Sequence, residues 1–139
     1  MIVFLHSLGL SFLVGMNTAL ALRLLGIAQG LPIRSFERLF PLMWTGFWIN
    51  AASGFALTIA DAATMLVNPI FYIKMTFVAA AVLNLALTRR HVFSGTRPDA
   101  PVTNQARFMA IAALILWTGA ITAGRLTAYL GPAAALQGR

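Results

Sequence analysis

Four ionisable side chains of different chemistry, His6, Asp61, Lys74 and Arg125, interrupt stretches of sequence that otherwise carry almost no charge. An imidazole can ligate a metal or exchange a proton, a carboxylate can accept a proton, and an amine or guanidinium can hold an anion. Asn50 and Tyr129 add hydrogen-bonding groups on the same apolar stretches. These types suit a ligand or cofactor site. They contain no Ser/His/Asp set, Gly-rich phosphate loop or carboxylate pair, so neither hydrolysis nor nucleotide chemistry is expected. The chain has no cysteine, which removes disulfides, thiolate metal sites and cysteine nucleophiles together.

The elements that must position these residues are transmembrane helices. Of the 139 residues, 60% are hydrophobic and 9% charged, where a soluble domain carries about 25% charged residues. A hydrocarbon core of ~30 Å takes about 20 apolar residues per helix. Four runs fit, at about Ile2–Ile27, Leu39–Ala60, Pro69–Thr88 and Phe108–Leu130. They use up the chain and predict an all-α, four-helix membrane bundle forming a single domain over 1–139. Asn68 is placed to cap a helix with Pro69 at its first position, and Gly131 with Pro132 predicts the end of the fourth span.

The net charge of +7 has a topological explanation, so no nucleic acid is needed to account for it. Arg23, Arg34 and Arg38 flank the first connection and Arg89, Arg90, Arg97 and Arg107 the third, whereas Asp61 and Lys74 border the second. The positive-inside rule then puts the first and third connections in the cytoplasm and both termini on the other side. The N-terminus lacks a basic n-region and its apolar run continues past Ala19 and Ala21, which predicts an uncleaved first helix.

Helical periodicity sorts the polar residues into faces. His6 shares a face with Leu13 and Asn17; Asn50, Ser53, Leu57 and Asp61 share one, and so do Thr118, Thr122, Arg125 and Tyr129. Gly46, Asn50 and Gly54, and likewise Ala120, Gly124 and Ala128, form small-residue seams suited to helix packing in lipid. Trp44, Trp48 and Trp117 fit lipid contact or interface anchoring. With this topology His6, Asp61, Lys74 and Arg125 fall at similar depth in the outer third of the bilayer, one from each span.

A charge inside a membrane costs ~3 kcal/mol on insertion scales and is usually paired or turned to the bundle interior. One reading is structural: Asp61 neutralises Arg125 or Lys74, and both cations snorkel to the headgroups. Another is haem b, with His6 ligating iron and Arg125 or Lys74 holding the propionates, or with Lys74 as the second axial ligand. A third is a quinone or quinol headgroup served by His6, Asp61 and Tyr129. A copper site of His6 with Met65 or Met75 lacks repeated methionine spacing. His91 lies beyond the far end of the third span and cannot share a cofactor with His6.

The segments FLHSLGLSFLVG, WTGFWINAASGF, NPIFYIKM and WTGAITAGRLTAY resemble an uncharacterised bacterial family of four-helix inner-membrane proteins. A histidine in the first helix and a lysine soon after the start of the third are similar to the wider group holding the CopD copper-resistance and HemJ haem-synthesis proteins. That resemblance implies a role in haem binding or porphyrinogen oxidation for His6 and Lys74. The expectations are thus a redox-linked membrane protein binding haem b or quinone, a non-catalytic subunit docking a membrane partner or a second copy, and a metal or small-solute transport component.

Overall fold

The computed structural model describes residues 1–27, 29–94 and 101–137, with side chains as far as residue 130. Arg97 lies outside the described residues. The chain forms α1 (Ile2–Leu24), the short α2 (Ile33–Glu37), α3 (Phe40–Ala60), the single turn α4 (Ala62–Met65), α5 (Pro69–Phe93) and α6 (Asn104–Gln137). The fold is all-α, and α1, α5 and α6 are long and apolar enough to cross a membrane. α3 has a similar length and no charged residue, with Thr45, Asn50, Ser53 and two tryptophans among its apolar side chains.

Local chemistry sets the ends. Gly26 takes φ +92° just past α1, a left-handed conformation that glycine adopts without a Cβ penalty. The Ile27 and Gly26 N–H groups then donate to the Leu22 and Arg23 carbonyls, both at 3.1 Å, which closes a Schellman motif. The apolar run continues to Ile27, but the helix therefore stops at Leu24. At the start of α5, Asn68 Oδ1 accepts from Ile70 N–H at 2.9 Å and Pro69 follows the cap, as expected. α5 runs past the expected Thr88 to Phe93, because Arg90 and His91 in its last turn complement the helix dipole.

The stretch of α6 apolar enough to cross a membrane runs Asn104–Leu130, but the helix does not end at Gly131 and Pro132 as expected and continues to Gln137. A proline removes one backbone bond and bends a helix but need not end it, and the alanine-rich segment that follows is a good helix former.

α1 and α6 form the centre, with α3 against α1 and α5 against α6. α1 and α3 are antiparallel and cross with their backbones touching: a Cβ on Gly9 would lie 2.7 Å from the Gly46 carbonyl oxygen. α5 and α6 are antiparallel too, with Asn84 Nδ2–H donating to the Met109 carbonyl at 3.0 Å and Phe77 filling the notch at Gly119. The core joins Leu13, Leu20 and Leu24 of α1, Phe36 of α2, Phe40 and Met43 of α3, and Leu85 of α5 to an alanine stripe on α6. Outside, Phe4, Trp48, Phe55, Leu83, Phe108 and Ile115 are all exposed, an apolar exterior far beyond what water-soluble monomers present.

Trp117 is not an interface anchor. It is 2% exposed, and its place in the stripe Ala106, Ala110, Ala113, Ala120 explains why: the small neighbours leave room for one large ring at the helix centre. Trp48 is exposed as expected.

Candidate functional site

His6 stands five residues into α1, where the seam of α3 passes beneath it. Its Nδ1 lies 3.0 Å from the backbone carbonyl of Asn50 and 3.2 Å from Ser53 Oγ. The Ser53 hydroxyl donates its proton to the Ile49 carbonyl at 2.6 Å, so toward the ring it can only accept. A carbonyl also only accepts. These partners assign the proton to Nδ1 and leave the Nε2 lone pair free, the tautomer being inferred from hydrogen bonding. An Nδ1–H donated to a backbone carbonyl is the arrangement that orients a ligating histidine.

Small residues make this approach possible. Gly54 carries no Cβ at the edge of the imidazole, and Gly124 on α6 leaves room for the Lys74 stem, whose Cε, Cδ and Nζ lie 3.6, 3.8 and 3.9 Å from where a Cβ would stand. Lys74 is half-buried. Two of the four ionisable groups therefore lie at the same end of the bundle, one on α1 and one on α5.

Asn50 joins them through its backbone oxygen, while its side-chain Oδ1 is buried without a hydrogen-bond partner. Among the described residues no hydrogen bond ties the side chains of Asp61, Arg125 or Tyr129 to His6 or Lys74. All three are exposed, and among the described residues Asp61 forms no ion pair with Lys74 or Arg125. Thr118 and Thr122 are exposed as well, so the expected polar stripe of the fourth span faces outward. Periodicity groups residues on one face but does not say which way the face points, and on α6 the inward side is taken by alanines, Trp117 and Thr127.

The seams fare better. Gly46 and Gly54 both pack on α1, Ala120 is buried, and Gly124 meets Lys74, whereas Ala128 is exposed. Ser53 is the residue whose importance sequence reasoning underrated. Its spacing of three from Asn50 put it on the right face, but only the packed structure shows its oxygen against the imidazole. His91 lies at the opposite end, where its Nε2 is 3.0 Å from Thr103 Oγ1. The same oxygen accepts from Ala106 N–H and caps α6.

Among the described residues no cluster of three or more His, Asp or Glu side chains could hold a metal ion. A site with one histidine suits a metal whose remaining ligands come from elsewhere, as a porphyrin supplies four nitrogens. No protein-family model, curated protein or solved structure matches this chain.

Proposed function

We propose that this chain is a four-span protein of the bacterial inner membrane, with α3 as the fourth span and both termini on the non-cytoplasmic side, and that it binds haem b through His6. The observation that carries the reading is the Nδ1–H donated to the Asn50 carbonyl, which leaves Nε2 as a fixed, unprotonated donor. Lys74, at the same end of the bundle, supplies a cation suited to a propionate. Gly54 and Gly124 keep the space beside both side chains free of Cβ atoms. Bound there, haem would supply one-electron chemistry. The chain's own part is to orient the imidazole, offset the acidic groups of the ligand and exclude water with the apolar residues around the site.

Titration of the purified protein with hemin in detergent tests this. A Soret band that saturates at one haem per chain is the expected result; a chain that leaves the hemin spectrum unchanged contradicts it.

A quinol headgroup is the second reading, favoured by the buried, unpartnered Asn50 Oδ1. That oxygen and His6 Nε2 are both acceptors, each suited to one hydroxyl of a quinol. Organic extraction of the purified protein separates the two: quinone in the extract with no Soret band in the protein supports the quinol.

A further inference from the structure

At the end of the bundle away from His6, arginines gather with Glu37 as their acidic neighbour. Arg34 and Arg38 stand on and just after α2, and Arg89 and Arg90 in the closing turns of α5, all exposed. α2 lies against α5, so the four cations share one rim. Their arrangement is partly built. The Arg89 guanidinium lies over the Phe40 ring, 5.5 Å from its centroid, and Phe40 is itself held edge-on against Phe93 at 5.3 Å. A guanidinium stacked on an aromatic face keeps its donors directed outward. Three and seven residues before Arg90, on the same face of α5, Leu87 and Leu83 are 43% and 61% exposed.

Topology explains why arginines occupy this end, but it requires neither the stacking of Arg89 nor an open leucine strip directly beneath Arg90. A pair of guanidiniums above a strip of exposed leucines matches one kind of molecule, a phosphodiester joined to an acyl chain. We propose that this edge of α5 seats an anionic phospholipid, its phosphate on Arg89 and Arg90 and its tail along Leu87 and Leu83. The proposal rests on α5 spanning the membrane. A zwitterionic lipid carries its own cation, which Arg34 and Arg38 repel, so the seat prefers a net anionic headgroup.

Native mass spectrometry of the full chain in dodecyl maltoside, offered equal amounts of phosphatidylglycerol and phosphatidylcholine, tests this. The expected result is preferential retention of phosphatidylglycerol, falling about fivefold in Arg90→Gln and again in Arg89→Gln/Arg90→Gln, and resistant to millimolar glycerol phosphate. Equal retention of the two lipids by the unmodified protein overturns the seat, as does an unchanged preference in the variants. Displacement by glycerol phosphate shows a site for free anions and likewise overturns it. Carbonate washing of membranes keeps the two claims apart: a chain that stays in the membrane pellet but shows no phosphatidylglycerol preference contradicts the seat while leaving the span intact.

Discussion

Gly54 lies so close to His6 that a Cβ there would stand 3.1 Å from the ring's Cε1 and 3.4 Å from Nδ1. A Cβ at 54 requires the imidazole to shift by a few tenths of an ångström against the Asn50 carbonyl that fixes its tautomer, and a larger side chain requires more. Gly54→Ala should weaken hemin binding several-fold and Gly54→Val should abolish it, with both proteins still inserted in membranes. Hemin titration of the two variants checks this, and unchanged affinity in Gly54→Val would place the ligand elsewhere.

The crossing of α1 and α3 rests on a backbone contact that cannot give way. A Cβ on Gly9 meets the Gly46 carbonyl oxygen at 2.7 Å and the Asn50 amide nitrogen at 2.8 Å, while one on Gly15 meets nothing within 4 Å. Gly9→Ala should therefore destabilise by about 1–3 kcal/mol through overpacking. Gly15→Ala should be neutral or stabilise by up to ~1 kcal/mol through helix propensity. Unfolding by dodecyl sulfate in mixed micelles measures both.

Much of this was legible in the sequence, and the misses have physical causes. Apolar run length located the four long helices, and Asn68–Pro69 marked a helix start because capping is local chemistry. The Gly46, Asn50, Gly54 spacing revealed a packing face because lipid-embedded helices associate through small residues. Arg125 and Tyr129 are exposed with Thr118 and Thr122: the period groups them on one face, but which way that face points depends on what α1 and α5 cover. Trp117 was misread because burial of an indole depends on neighbours four residues away being alanine. The bond from His6 to Asn50 joins residues 44 apart in sequence, and no local pattern encodes it.

Trp117 Nε1 is buried without a hydrogen-bond partner. Removing a buried unpaired donor while keeping an aromatic ring can offset the loss of volume. Trp117→Phe should change stability by less than about 1.5 kcal/mol, whereas Trp117→Ala should cost about 3–5 kcal/mol. The same micellar unfolding assay distinguishes them.

Asn68 is 6% exposed and its side chain caps α5. Asn68→Ala should cost about 1 kcal/mol, and Asn68→Asp, which keeps the accepting oxygen, should cost less. Lys74 lies in the second turn of α5, so fraying of this cap should also weaken hemin binding in Asn68→Ala; equal affinity in that variant would show that the first turn does not position the lysine.

The central claim is that His6 presents a free, oriented Nε2 to an iron. The dithionite-reduced absorption spectrum of the protein purified from haem-replete cells tests it most directly, taken for the unmodified chain, His6→Ala and His91→Ala. A Soret band in the unmodified chain and in His91→Ala, with none in His6→Ala, is the predicted result. A colourless unmodified protein, or a band that survives in His6→Ala, would contradict it.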